Sequence, residues 1–95
     1  DDAAFRAFFA GSPIKRTGRD RFLRNVMIAI GNSGDLALVG VVERRLADDS
    51  PLVRAMAVWA LARLAPGPIF EKLRAEHLVN ESDSDVAAEW RATEP

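Results

Sequence analysis

Five basic side chains lie within ten residues near the start of this chain, and their types and spacing suit the binding of an anion. They are Lys15, Arg16, Arg19, Arg21 and Arg24. With Asp20 as the one acid in residues 15–24, five positive charges less one negative charge leave a local net charge of +4. Arginine occupies four of the five basic positions, and its planar guanidinium binds phosphate through two parallel hydrogen bonds. The stretch therefore indicates a phosphate-binding segment.

The expected position of these cations on a helix strengthens this interpretation. A polar loop is predicted to end at about Gly18, with a helix following over residues 19–30. The first turn of a helix has free backbone N–H groups and a favourable dipole for anions, whereas cations there oppose the dipole. Since the sequence places arginines in that turn, we attribute them to binding and not to helix stability. The candidate phosphate ligands are Lys15, Arg16, Arg19, Arg21, Arg24 and Asn25.

A purely structural role for these arginines is the alternative. Arg21 and Arg24 are three residues apart and share one side of the helix with Asn25. Either arginine could form an ion pair with an acid on an adjacent turn. The acids in question are Asp35, Asp48 and Asp49.

Composition excludes several classes of protein. The chain has 95 residues, which suits one domain, and 13 basic against 14 acidic residues give a net charge of −1. It has no cysteine, so it forms no disulfide and supplies no thiolate to zinc or to an iron–sulfur cluster. The longest apolar run is residues 55–62, too short to span a membrane. The chain begins at Asp1 without a basic, apolar leader, and we expect a piece of a longer cytoplasmic protein.

Helical spacing of apolar residues runs through the whole chain, and nothing has the alternation of a strand. It predicts about six short helices, over residues 2–10, 19–30, 35–47, 51–64, 68–78 and 83–91. Apolar residues recur at the same phase after 31 residues, as in Phe22 and Val53 or Ile30 and Leu61. Val86 and Trp90 form a weaker third copy. A period near thirty with two helices per unit is typical of an α-solenoid.

The middle copy, Asp49-Ser50-Pro51-Leu52-Val53-Arg54-x-x-Ala57-x-x-Ala60-Leu61-x-x-Leu64, resembles the HEAT-type repeat. The predicted fold class is therefore all-α, a short α-solenoid of HEAT-like helical pairs, in a single domain over residues 1–95. Its inward face is expected to include Phe22, Leu36 and Val42. The fourth and last helices are expected to contribute Val53, Ala57, Ala60, Leu61, Leu64, Val86 and Trp90. Trp59 and Trp90 are predicted to be packing residues and not platforms for base stacking.

A longer resemblance covers essentially the whole chain. Gly11-Ser12-Pro13-Ile14-Lys15-Arg16-x-Gly18-x-x-Arg21-x-x-Arg24-Asn25, followed by Ala29-Ile30-Gly31-Asn32, resembles the junction segment of epoxyqueuosine reductase. Val53-Arg54-x-x-Ala57-x-Trp59-Ala60-Leu61 is similar to the helical repeat of the same family. The resemblance implies that residues 1–18 join a C-terminal HEAT-like domain to a missing upstream catalytic and iron–sulfur domain.

The family reduces the epoxide of epoxyqueuosine in the tRNA anticodon loop, with a cobalamin and two [4Fe–4S] clusters. The resemblance implies that the parent protein is an oxidoreductase of this kind and that tRNA is a partner of this chain, which itself carries no catalytic residue and no cofactor. Ser12 lacks a His or Asp partner at a suitable spacing for a nucleophile. His77, beside Glu76 and near Glu81, is interpreted as a surface or capping residue and not as a metal ligand.

Two other functions remain open at this stage. A short HEAT-type array can act as a scaffold that binds a protein partner and has no role with RNA. The cations can also hold the missing catalytic domain in place. The C-terminal residues 76–95, with six acids and one cation, are expected to form a solvated acidic face.

Overall fold

Five α-helices and two short 3₁₀ helices make up the part of the chain that the structure describes, and this part contains no strand. The structure is a computed structural model that describes the backbone of residues 13–92 and the side chains of residues 17–92. The α-helices are α1 (Pro13–Ser33), α2 (Val39–Arg44), α3 (Pro51–Leu64), α4 (Gly67–Leu78) and α5 (Ser84–Arg91). The 3₁₀ helices, Leu36–Leu38 and Arg45–Ala47, flank α2. The prediction of an all-α fold is confirmed, while the predicted helix over residues 2–10 lies outside the described residues.

Helices α3 and α5 each begin directly after a residue whose side chain caps them. Ser50 caps α3 by accepting a hydrogen bond from the Val53 N–H, and Pro51 occupies the first turn, where its missing N–H costs nothing. Asp83 caps α5 by accepting from the N–H groups of Asp85 and Val86. The predicted inward residues of α3 and α5 are all buried. They are Val53, Ala57, Ala60, Leu61, Leu64, Val86 and Trp90.

Helix α1 is longer at both ends than predicted. It begins at Pro13, so the predicted loop up to Gly18 is wrong: Pro13 is compatible with a first turn, and one glycine inside a helix costs only about 1 kcal/mol. It also continues past Gly31, which was expected to end it. Gly34, with a φ of 70°, takes the left-handed conformation that terminates the helix instead.

The segment that contains α2 differs from the single helix predicted over residues 35–47. Asp35 caps its start by accepting a hydrogen bond from the Ala37 N–H. The first turn is 3₁₀, with three residues per turn, so the α-helical phase used to place Leu36 does not apply there. Leu36 is accordingly 61% exposed and not part of the inward face, whereas Val42 is fully buried.

Helices α1 and α3 run side by side and parallel. Arg19, near the start of α1, contacts Asp48, just before α3, and Gly31, near the end of α1, packs on Trp59 in the second half of α3. Helix α3 packs on its other side against α5, and α4 packs against both α3 and α5. The core between them contains residues from all five helices, among them Met27, Val42 and Trp90. This arrangement of helical pairs is that of a short solenoid.

One predicted core residue of α1 lies outside the core. Phe22 is 66% exposed, since at about 100° per residue it lies well round the helix from the buried Met27. Leu23, Val26 and Ile30 are half-buried, so the inward side of α1 is narrower than the apolar stripe in its sequence.

Candidate nucleic-acid interface

The predicted basic segment is helical throughout, which changes the way it can bind an anion. Because α1 begins at Pro13, the prediction that Arg19 and Arg21 occupy a first turn is wrong, and their backbone N–H groups lie inside the helix. The first turn instead contains Lys15 and Arg16, whose side chains lie outside the described residues. Binding by the remaining residues of the segment therefore depends on their side chains.

Arg21, Arg24 and Asn25 form what we call the α1 basic surface. Arg21 is exposed, and it has no hydrogen bond or ion pair with any residue in the described part of the chain. Arg24 donates from Nε and from Nη2 to Oδ1 of Asn25, at 3.3 and 3.1 Å. This amide oxygen is neutral, so it orients the guanidinium of Arg24 without cancelling its charge.

Arg19 differs from Arg21 and Arg24, because two carboxylates bind its guanidinium. Its Nη2 lies 2.7 Å from Oδ1 of Asp48, and its Nη1 lies 3.0 Å from Oδ1 of Asp20. Asp48 is only 2% exposed in its side chain, and Nη1 of Arg45 lies 3.6 Å from the same Oδ1 atom. The structural alternative gave Arg21 or Arg24 an ion pair with Asp35, Asp48 or Asp49, but the pair between α1 and the turn before α3 is formed by Arg19 and Asp48. Its guanidinium holds two helices together.

The ionisation of Asp48 reflects these contacts. Burial by itself would raise the pKa of Asp48, but the hydrogen bonds from Arg19 and from the Ser50 N–H, together with the charges of Arg19 and Arg45, hold this pKa below its usual value. The carboxylate is therefore charged at neutral pH. Its negative charge is paired with the positive charge of Arg19, so this arginine contributes to the fold and is not available to a ligand.

The same construction recurs at the next helix pair. Arg54 donates from Nε and Nη2 to the two carboxylate oxygens of Glu81 at 3.0 and 2.9 Å, and from Nη1 to the Asp48 and Asp49 carbonyls. The hydrogen bonds and charge of Arg54 outweigh the burial of Glu81 and lower the pKa of that carboxyl. Asp48 and Glu81 each accept the N–H two residues later. We call the pairs Arg19–Asp48 and Arg54–Glu81 the ladder.

The ladder also corrects the prediction for the acidic C-terminal residues. Glu81 is paired with Arg54, and Asp83 caps α5, so two of the acids expected on a solvated face are structural. Glu81 was not predicted as a structural residue, although its position three residues before α5 matches that of Asp48 before α3. That equivalence is the signal that could have identified it.

Arg63 is a further basic residue near α1 that was not predicted from the sequence. Its Nε donates to the Gly31 carbonyl at 3.3 Å, and its guanidinium carbon lies 5.1 Å from the centroid of the Trp59 ring. The i, i+4 spacing of Trp59 and Arg63 on α3 was the available signal. Trp59 itself packs against Gly31, where a Cβ atom would lie 2.7 Å from its ring. Its predicted role in packing is confirmed.

A concave region of the structure contains the histidine and several acids. A cavity of about 420 Å³ is lined by Asp49, Glu76, His77 and Asn80, among others. The His77 ring stacks at 6.1 Å on that of the buried Trp90. Among the described residues no group of three or more His, Cys, Asp or Glu side chains could hold a metal ion. In the same part of the chain no helix is long and apolar enough to cross a bilayer.

Comparisons with known proteins agree with the predicted HEAT-type repeat and with the predicted resemblance to a reductase family. Residues 38–67, which span α2 and α3, match the HEAT repeat. The chain is 44% identical over 64 residues to an epoxyqueuosine reductase of Xanthomonas campestris, a match of 66% of this chain and 18% of that protein. The epoxyqueuosine reductase of Alicycliphilus denitrificans is 39% identical over 71 residues, 66% of this chain and 20% of its own length.

A third relative extends the comparison to another organism. The epoxyqueuosine reductase of Shewanella oneidensis is 37% identical over 62 residues, 62% of this chain and 16% of that protein. No solved structure matches. The matches cover about a fifth of the length of these curated relatives. The predicted resemblance is confirmed: the chain is similar to the epoxyqueuosine reductases over about two thirds of its length and contains a HEAT repeat.

Proposed function

We propose that this chain is the helical, tRNA-binding part of an epoxyqueuosine reductase, the class of enzyme that converts epoxyqueuosine to queuosine in tRNA. The observation that carries the proposal is the α1 basic surface in a chain similar to these reductases. Arg21 is exposed, and the partner of Arg24 is a neutral amide, so neither positive charge is matched by a carboxylate in the described residues. Guanidinium groups of this kind bind phosphate through charge-assisted hydrogen bonds.

Arg19 is left out of the surface that we propose, because Asp20 and Asp48 already bind its guanidinium. Lys15 and Arg16 remain in the proposal on sequence alone, at the start of α1. The ligand is then the sugar–phosphate backbone of the anticodon region of tRNA, because the guanidinium groups of this surface suit phosphate. Such contacts position an RNA and do not specify its sequence.

The catalytic chemistry of such a reductase belongs to the remainder of the protein under this proposal. Iron–sulfur clusters are bound by cysteine thiolates, and these 95 residues contain none, so this chain does not fit a cluster. We therefore propose that both [4Fe–4S] clusters and the cobalamin lie outside it, in an upstream catalytic domain. The role of this chain is to hold a cytoplasmic tRNA near that domain.

The test is the salt dependence of tRNA binding by the 95-residue chain. Each phosphate neutralised contributes a slope of about −0.7 to −0.9 to a plot of log K against log salt concentration. We expect the double variant Arg21→Ala/Arg24→Ala to bind more weakly and to make this slope shallower by about one to two. The matched control is Arg44→Ala/Lys72→Ala, which removes two exposed cations from α2 and α4.

A protein-interaction scaffold is the second candidate, and exposed apolar side chains favour it. Phe22 is 66% and Val79 is 76% exposed, on α1 and at the end of α4. Binding to tRNA that does not depend on salt, or equal binding by the double variant and its control, would overturn the RNA proposal in favour of a scaffold. Weak RNA binding together with tight association with a separately produced catalytic domain would indicate that the cations hold that domain.

A further inference from the structure

Arg63 is an exposed arginine with an unusual pair of neutral partners. Its Nε donates to the backbone carbonyl of Gly31, and its guanidinium plane lies near the Trp59 ring. A surface arginine normally samples many rotamers, and these two contacts restrict it to a small range. Neither contact uses the Nη1 or Nη2 groups, which form no hydrogen bond with any described residue. Arg63 is therefore oriented while most of its donors remain available.

The charge of Arg63 also remains available, in contrast to that of the other held arginines. Arg19 and Arg54 bind carboxylates, as does Arg74 through Glu71. Arg63 lies within 4 Å of no carboxylate in the described part of the chain, and its partners are a carbonyl and an aromatic ring. Among the described residues, Arg24, whose partner is an amide, has the same character. Both guanidiniums are positioned, and both keep their full positive charge.

The fold places Arg63 in line with the α1 basic surface. Gly31, which Arg63 contacts, is seven residues after Arg24, so the two positions lie on the same side of α1, two turns or about 10 Å apart. Helix α3 carries Arg63 alongside because it is parallel to α1. An extended anionic chain that follows α1 from Arg21 to Arg24 would next meet the Nη groups of Arg63.

We propose that Arg63 is a further phosphate ligand for RNA and that Trp59 orients it, so that the binding surface crosses from α1 to α3. The inference rests on the proposed function and extends it to a second helix. A protein partner would also meet Arg63, but a row of guanidiniums without carboxylate partners along α1 and α3 favours a polymer of phosphates. RNA is therefore the occupant that we infer.

The competing role for Arg63 is a structural one. The Gly31 carbonyl is among the last four of α1, which lack partners inside the helix, and a cation there also interacts favourably with the helix dipole. A residue with only this role would affect folding and leave the salt dependence of RNA binding unchanged. The experiment must therefore measure both quantities.

The test measures the binding of purified tRNA to the 95-residue chain over a range of salt concentrations, with thermal unfolding recorded for each variant. We expect Arg63→Ala to lower affinity several-fold at low salt and to make the slope shallower by about 0.7 to 0.9. Arg63→Gln serves as the second variant, because its amide can still donate to Gly31 while the charge is lost. It should change the slope as much as Arg63→Ala does. Arg44→Ala, the loss of one exposed cation elsewhere, should leave the slope nearly unchanged.

The outcomes separate this inference from the proposed function. A lower thermal midpoint with an unchanged slope, for Arg63→Ala and Arg63→Gln alike, would overturn the inference and identify Arg63 as a cap of α1. If Arg21→Ala/Arg24→Ala still made the slope shallower, the proposed function would stand. If no variant changed the slope, both would be wrong.

Discussion

The ladder and the α1 basic surface contain the same residue type on the same helix, yet their arginines meet opposite partners. Arg19 is bound by two carboxylates, one of them almost fully buried, while Arg24, five residues later, is bound by an amide oxygen. A carboxylate partner makes an arginine part of the structure, and a neutral partner leaves its charge for a ligand. The count of basic residues in this segment therefore overstates the number available for binding, because one of them is used between helices.

The largest expected effect is on the ladder, through Asp48→Ala. The change leaves Arg19 next to a nearly buried site without its main counter-charge, and breaking such a pair costs about 3–5 kcal/mol. Urea denaturation should show this loss in the free energy of unfolding. Glu43→Ala, at an exposed acid on α2, is the control and should change it by about 0.5 kcal/mol or less.

A double variant that replaces both partners of the ion pair tests this prediction further. In Arg19→Met/Asp48→Leu neither partner is left uncompensated, and a well-packed apolar pair can replace a buried ion pair at little cost. We expect this double variant to be more stable than Asp48→Ala alone. An Asp48→Ala protein within about 1 kcal/mol of the wild type would show that the ladder is no more structural than the α1 basic surface.

Acid should weaken the ladder before it affects the α1 basic surface. The pKa values of Asp48 and Glu81 are lowered in the folded state, so the unfolded chain binds protons first as the pH falls. The stabilisation is therefore complete above the unfolded values, about 3.9 for Asp and 4.3 for Glu, and is lost as the pH falls through the lower folded values. Thermal unfolding between pH 7 and pH 2 measures this loss.

The acid dependence can be assigned by mutation. Asp48→Ala should remove part of the decrease in stability below about pH 4, because the group that takes up the proton is gone. Arg21→Ala/Arg24→Ala should leave the shape of the curve unchanged, since neither arginine is paired with a carboxylate in the described residues. Equal curves for wild type and Asp48→Ala would contradict the role assigned to this carboxylate.

Two glycines of α1 provide a smaller and internally controlled test of how the two helices position the basic side chains. At Gly31 a Cβ atom would lie 2.7 Å from the Trp59 ring and 3.1 Å from the Ala60 Cα. Gly31→Ala should therefore destabilise the protein by about 1–3 kcal/mol through overpacking. At Gly18 a Cβ atom would meet nothing within 4 Å, so Gly18→Ala should stabilise the helix by about 0.5–1 kcal/mol. Denaturant unfolding of both variants gives the comparison, and equal signs would contradict the close approach of α1 to α3.

These glycines also show which parts of the fold the sequence can predict. Caps and periodicity gave α3 and α5 nearly to the residue, because Ser50 and Asp83 act locally. Gly31 was misassigned as a helix end, since the requirement for it comes from Trp59, 28 residues later. Phe22 was wrongly predicted to be in the core for a related reason. It belongs to the apolar residues at helical spacing in α1, but only the side of α1 that meets α3 is buried.

The sequence was sufficient to predict that the candidate site binds an anion. It was not sufficient to predict which basic residues are available for binding. Charge density located the segment, but the choice of Arg19 over Arg21 as the partner of Asp48 depends on the phase of α1 and on its start at Pro13. Glu81 and Arg63 were missed because their partners are separated from them by 27 and 32 residues. Long-range contacts of this kind are set by the packing of the repeats.

The smallest expected effect is the loss of the α1 basic surface on stability. Arg21 is exposed and unpaired in the described residues, and the interaction of Arg24 with Asn25 is an exposed contact between sequence neighbours. Arg21→Ala/Arg24→Ala should therefore change the free energy of unfolding by about 0.5 kcal/mol or less, measured in urea beside Asp48→Ala. A loss above about 1 kcal/mol would mean that these arginines hold the fold together as Arg19 does. A near-zero change combined with weaker tRNA binding would separate the two regions, because Arg21 and Arg24 would then contribute to ligand binding and not to stability.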